Sequence, residues 1–330
     1  MAVNLSSIKD LLLPGLRGIE GKYEMIPSQY DKIFRRHESK LALERTAELR
    51  FLGFAQLKTE GGQTAFDNGA GERYVYNQEH TEIGLGYAIT RKAIDDNVYK
   101  TQFHPSNLGL MESFQQTKEI FAANVLNTAQ TYNTAVAGDG VALCSLSHPI
   151  DGATWANIPT TQVDLNEATL LNGMISIRVN FKDQAGLKVF ARGRKLIVPP
   201  QLEPVAIRLT KTELRPGTAD NDVNAILTTA GGLAEGYMVN DFLTSQFAWF
   251  LLTNIDGLAY MERVKFETDM QVDFVTDNLL VKGYERYSFS YYNPRSIWAS
   301  FPTLDKSLDP QEAKLPWARH RDSSPTISKH

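Results

Sequence analysis

Between Lys58 and Gly71 the chain carries Gly61, Gly62, Gly69 and Gly71 and little apolar content. Such a stretch lacks the side chains to build a packed element, so it must stand off from any core. Strand chemistry follows: Glu72-Arg73-Tyr74-Val75-Tyr76, then Ile83, Leu85, Tyr87 and Ile89 in alternation. The pattern predicts a long β-hairpin with a flexible tip. A two-stranded ribbon that is polar on both sides is poorly stable alone. It reads either as a surface ribbon or as one that leans on another subunit.

The rest of the chain must supply the core. It has 330 residues, 42% hydrophobic and 22% charged, which suits one large or two intimate globular domains. Residues 1–35 read as an arm, because the apolar run Leu11-Leu12-Leu13-Pro14-Gly15-Leu16 is broken by Pro14, Gly15, Gly18 and Gly21. Residues 38–57 mix Leu41, Leu43, Ala47, Leu49 and Leu52 with charges, and are predicted helical and then extended. Pro105-Ser106-Asn107 opens a long helix in which Met111, Phe114, Phe121, Val125 and Ala129 keep one apolar stripe. Its expected length is about 22 residues, or ~33 Å. Asp164-Leu165-Asn166-Glu167 has the spacing of a capping box with Asp164 as the cap, leading a helix to about Val179. Lys195–Val198 is a strand stopped by Pro199 and Pro200, and Gln201–Leu209 reads as a short helix. Thr212–Gly232 reads as a surface loop. Strands are then expected at Tyr237–Phe242, Ala248–Leu252, Tyr260–Phe266, Gln271–Val275, Tyr284–Tyr291 and Ser296–Phe301. The fold class is α+β with extended appendages. The polar tail from Pro302 to His330 is expected to fray when alone in water.

Charge and chemistry narrow the function. The net charge of −4 lacks the basic signature of a general nucleic-acid binder. With Cys144 as the one cysteine, no intrachain disulfide forms. No apolar run approaches the ~18 residues of a bilayer span, and no signal peptide is read at the N-terminus. Ser145, Ser147 and His148 cluster, yet the acid of a triad and a nucleophile elbow are not apparent. Cys144 and His148 have no second ligand pair, so no metal is expected. Gly84-x-Gly86 lacks the third glycine and following helix of a dinucleotide site. Asp95-Asp96 and Asp269 to Asp273 read as solvated strand ends, and Gly231-Gly232 lacks the lysine of a phosphate loop. No catalytic residue, cofactor or metal ligand is assigned.

Several segments, taken in order, carry a resemblance. Ala185-Gly186-Leu187 precedes Leu196-Ile197-Val198-Pro199-Pro200-Gln201-Leu202-Glu203. Leu143-Cys144-Ser145-x-x-His148-Pro149 comes before it. Trp249-Phe250-Leu251-Leu252, Arg263 and Tyr291-x-x-Pro294-Arg295-Ser296-Ile297-Trp298 close the series. Together, from about residue 20 to 302, the chain resembles the major head subunits of Mu-like tailed phages, within the HK97-like capsid family.

The resemblance implies an HK97-like fold. It divides the chain into an N-arm and lead-in (1–50), an E-loop (51–92), a peripheral domain with a long spine helix (93–154 and 261–284), an axial domain (155–260 and 285–305) and a tail (306–330). It implies a shell of pentamers and hexamers around double-stranded DNA, found in the virion and assembled in the host bacterial cytoplasm. The chain's main partner is then itself, with scaffold, portal and decoration proteins as further ones, loose non-specific contact with DNA, and no membrane. The candidate inter-subunit contacts are Leu12, Leu16, Tyr23, Lys58, Phe66, Arg73, Tyr74 and Tyr76. The fused scaffolding segment that some relatives carry has no room before the spine helix. The ribbon Lys and Asn that some relatives crosslink have only common residues, Lys58, Asn68 and Asn77, to stand for them. Two alternatives stay open: an encapsulin-like compartment of the same fold, and an unrelated α+β enzyme.

Overall fold

The computed structural model describes residues 27–95, 99–212 and 232–302, together with Tyr23, Asn224 and Ile226. Leu12, Leu16, most of the 212–232 loop and the 306–330 tail lie outside the described residues. The strands are β1 Arg35–Glu38, β2 Leu43–Arg50, β3 Gly71–Glu79, β4 Thr81–Ile89, β5 His148–Ile150, β6 Ala153–Trp155, β7 Gly193–Val198, β8 Tyr237–Val239, β9 Trp249–Thr253, β10 Leu258–Val272, β11 Leu279–Tyr291 and β12 Ile297–Ser300. The helices are α1 Arg91–Asp95, α2 Tyr99–Asn127, α3 Glu167–Asn180 and α4 Glu203–Lys211.

The first sheet has the order β1-β10-β11-β4. Its strand β11 alternates from Leu279 to Tyr287. Leu279, Val281, Gly283, Glu285 and Tyr287 of β11 are buried, while Leu280 and Lys282 between them are exposed. A period of two with one wet face calls for a cover on the other. Helix α2 provides it: Phe114 packs on Phe266 with ring centroids 5.0 Å apart. Gly283 lets the helix come close, since a Cβ there would lie 2.8 Å from Phe114 and 2.9 Å from Phe266.

The second sheet has the order β12-β9-β7-β8. Every residue of β9 and β12 is buried, as expected of strands covered on both faces. Trp249 and Trp298 meet at 5.1 Å between ring centroids, and the Trp298 indole N–H donates to Ser176 Oγ of α3 at 3.2 Å. A Cβ at Gly173 of α3 would lie 3.0 Å from Trp298 and 3.1 Å from Leu251, so only a glycine fits that contact without a shift.

Several expectations are corrected. Residues 43–50 are a strand, not a helix, because Leu43, Ala47 and Leu49 also read at period two and pair with β3. Non-local pairing overrides a weak local helical preference here. The hairpin is therefore β2–β3, whereas β4 pairs with β11. The long helix begins at Tyr99 and holds Pro105 inside it, where the missing N–H removes one intrahelical bond without ending the run. The cap of α3 is Asn166 rather than Asp164. Asn166 Oδ1 accepts from the Thr169 N–H and Thr169 Oγ1 accepts from the Asn166 N–H, each at 2.9 Å. The two strands expected at Tyr260–Phe266 and Gln271–Val275 are one, β10.

Candidate assembly surface

The ribbon β2–β3 projects a loop, residues 51–70, with no regular strand or helix. A small hub organises the base of that loop. Asp67 accepts from the Gly53 N–H at 2.7 Å, the Gly69 N–H at 2.8 Å and Arg50 Nη1 at 3.2 Å. Those bonds, Gly53's first, hold the Asp67 carboxyl down at about 2. The two limbs of the loop are thus tied at one carboxylate while the tip stands free.

The loop is more apolar than its glycines suggest. Phe51, Leu52, Phe54, Leu57 and Phe66 are 65%, 60%, 70%, 105% and 87% exposed. A grouping of large apolar side chains along one appendage marks an interaction surface. Only Phe66 of these was expected as a contact. The others lie between a strand and a glycine-rich turn and follow no period, so no pattern singled them out.

The root of the ribbon is held by charges. Asp151, in the β5–β6 turn, takes Arg50 Nε of β2 at 2.5 Å and Arg73 Nη2 of β3 at 2.9 Å. Glu48 of β2 takes Arg295 Nη1 at 2.5 Å. Arg295 is buried, donates through Nε to the Lys182 carbonyl at 2.5 Å, and stacks its guanidinium 4.9 Å from the Trp155 ring. Such a planar fork can satisfy a carboxylate, a carbonyl and an aromatic face at once, which an ammonium cannot. Tyr76 of β3 is fully buried beneath Gly138, whose positive φ of 70° and lack of Cβ both matter: a Cβ would lie 2.2 Å from the Tyr76 ring.

The candidate contacts thus divide. Lys58 and Phe66 are exposed at the tip. Arg73 is exposed but paired with Asp151, and Tyr74 is half-buried against the subunit's own core. Tyr76 and Tyr23 are spent inside the subunit. Tyr23 packs on Phe266 at 4.4 Å, and its hydroxyl donates to Glu285 at 3.2 Å. Glu285 also takes Lys118 Nζ of α2 at 2.7 Å, a buried pair bordered by the Tyr23 and Tyr287 rings. Burial pushes the Glu285 carboxyl up, against the pull of Lys118. Next to it Glu119 accepts the Gln29 and Tyr30 N–H groups at 2.6 and 3.1 Å, fastening the 3-10 turn Tyr30–Lys32 of the lead-in to α2.

The Ser145–His148 cluster has an acid that the sequence did not reveal. Asp139 Oδ2 lies 2.7 Å from His148 Nδ1. The other ring nitrogen, however, meets Asn157 Oδ1 at 3.2 Å, and the ring is fully buried and stacked on Trp155 at 4.6 Å. Asn157 also takes the Ser145 N–H at 2.8 Å, so the cluster pins a loop. Burial pushes the Cys144 thiol well up, away from the reactive thiolate. Among the described residues no group of three metal-ligating side chains occurs, and no helix is long and apolar enough to cross a membrane.

Comparison with known proteins adds to this geometry. A family described as "Phage capsid protein" matches residues 78–300, about two thirds of the chain. No curated protein is a significant match. Among solved structures, the chain is similar to the capsid of a native GTA particle, with a TM-score of 0.51, 10% identity, and 84% of this chain and 92% of that one covered. It is also similar to a structure of Microbacterium phage Oxtober96, with a TM-score of 0.50, 11% identity and coverage of 84% and 92%. A structure of Mycobacterium phage Che8 matches with a TM-score of 0.50, 12% identity and coverage of 83% and 90%. At these identities the likeness is one of fold.

Proposed function

The chain belongs to the phage capsid protein family, and from that premise we propose that it is the major head subunit, closing into pentamers and hexamers of an icosahedral shell around double-stranded DNA. It is a structural protein with an HK97-like α+β fold. The observation that carries the shell reading is the ribbon tip, where Phe54, Leu57 and Phe66 have no cover within their own subunit. One chain repeated around a ring makes head-to-tail contacts, which close when the rotation closes. A long arm tied at its root and apolar at its tip suits such contacts, since it buries area on a neighbour without adding to the subunit's own core.

The finer reading follows the segments. The ribbon Leu43–Glu79 acts as the E-loop, α2 as the spine helix of the peripheral domain, and the β12-β9-β7-β8 sheet with α3 and α4 as the axial domain. Scaffold and portal proteins are further partners, assembly takes place in the host cytoplasm, and the packaged DNA is held loosely by a wall of net charge −4. The shell performs no catalysis. Electron microscopy of the purified protein, with and without its neighbouring genes co-expressed, tests this. Closed shells containing DNA support it. Shells filled with a protein cargo would make it a compartment instead, and a small oligomer under every condition would remove the shell altogether.

A further inference from the structure

The sequence holds two Asn-Gly pairs, Asn68–Gly69 and Asn172–Gly173. An asparagine before a glycine carries a reaction of its own. The backbone nitrogen of the second residue can attack the side-chain amide carbon of the first, and a glycine has no Cβ to bar the approach. Attack requires that the nitrogen be free of other bonds and that the backbone be able to turn. The fold treats the two pairs in opposite ways.

Asn172–Gly173 lies inside α3. There the Gly173 N–H belongs to the helix ladder, and the residue is buried against Trp298 and Leu251. Neither the turn nor the attack is open to it. Asn68–Gly69 lies in the loop 51–70, and Asp67, Asn68 and Gly69 are all exposed. One restraint remains. The Gly69 N–H donates to Asp67 Oδ1 at 2.8 Å, and the same carboxylate takes the Gly53 N–H at 2.7 Å. Arg50 completes the hub: its Nη1 lies 3.2 Å from Asp67 Oδ1, and a Cβ on Gly69 would fall on its guanidinium. The attacking nitrogen is thus held by Asp67 without being shut away from water.

We propose that Asn68–Gly69 is a self-modifying site guarded by Asp67: Asn68 closes onto Gly69 and deamidates in proportion to the time the Gly69 N–H spends released from the carboxylate. The steps balance with water alone. The Gly69 nitrogen bonds to Asn68 Cγ and gives its proton to solvent. The Cγ–Nδ2 bond then breaks, and ammonia leaves with a proton taken from solvent. A five-membered cyclic imide remains. Water opens it at Cγ to leave aspartate, or at the Asn68 backbone carbonyl carbon to leave isoaspartate, in which the main chain runs through the former side chain. Either product alters the hub. Aspartate sets a second carboxylate beside Asp67, in competition for Arg50. Isoaspartate lengthens the chain between Asp67 and Gly69 and carries the Gly69 N–H away from its acceptor. The two limbs at the base of the loop then come untied. The reaction needs only a single subunit and stands independently of what the shell encloses.

Peptide mapping by mass spectrometry of the full chain, incubated unassembled at mildly alkaline pH, tests it, with isoaspartate marked by enzymatic methylation. Asn68 is expected to convert while Asn172 stays intact. In guanidinium chloride both pairs are released and both should convert. Asp67→Ala removes the acceptor and should speed conversion at Asn68 in the folded chain by about tenfold, the rate equivalent of one hydrogen bond to a charged group. Asn68 left intact in the folded chain while the denatured chain converts overturns the proposal. So does conversion of folded Asn172 at the pace of Asn68, or an unchanged rate at Asn68 in Asp67→Ala.

Discussion

Replacing Phe54, Leu57 and Phe66 together by serine separates folding of the subunit from closure of the shell. In the subunit these side chains are 70%, 105% and 87% exposed, so the change removes almost no buried area. Unfolding stability should move by no more than about 0.5 kcal/mol, the range of ordinary surface substitutions. The proposed assembly has each side chain covered by a neighbour, and full burial of a residue of this size stabilises by ~1.5–3 kcal/mol. The gross loss is then ~5–9 kcal/mol per subunit, offset in part by the ordering the tip no longer undergoes. Because each subunit repeats the loss, the assembly equilibrium should collapse. Urea titration followed by circular dichroism reads the first quantity, and sedimentation velocity across a concentration series reads the second. A variant that assembles at the wild-type concentration refutes the role of the tip. One that unfolds at much lower urea shows that the tip is part of a core.

Other perturbations test the scaffold behind that surface. Trp249→Ala empties a fully buried site and leaves the Val163 carbonyl without its indole donor at 3.0 Å; chemical denaturation should show a loss of ~3–5 kcal/mol. Arg295→Met strands the Glu48 carboxylate at the ribbon root and should cost ~3–5 kcal/mol, while adding Glu48→Gln should restore part of it in a double-mutant cycle. Asp67 is held at about 2 against an ordinary 3.8, so its hold on Gly53 and Gly69 is complete above 3.8 and lost as pH falls through about 2. Limited proteolysis with an acid-stable protease should therefore cut residues 51–70 faster across that window, and Asp67→Asn should remove the acid step.

Much of the architecture was legible in the sequence, for identifiable reasons. The α2 stripe of Met111, Phe114 and Phe121 announced a helix by its period, and the dense apolar run Trp249–Leu252 a buried strand by its shortness. Residues 43–50 did not, since Leu43, Ala47 and Leu49 satisfy either period and the choice was made by β3, more than twenty positions away. The glycines of the ribbon tip were legible as an appendage, but its apolar load was not. Phe51, Leu52, Phe54 and Leu57 follow no period and show their meaning only as uncovered side chains. Tyr23 and Tyr76 carried the composition of an interface, yet Lys118–Glu285 and Gly138 draw them into the subunit's own core. The pairs His148–Asp139 and His80–Ser39 join residues whose relation only the folded chain creates.

The most direct measurement is electron microscopy of the purified full-length chain, alone and co-expressed with its neighbouring genes. The account predicts closed shells whose wall resolves into rings of five and six subunits, each ribbon lying across an adjacent copy. A persistent small oligomer, or shells in which the ribbon tip faces solvent, would contradict it.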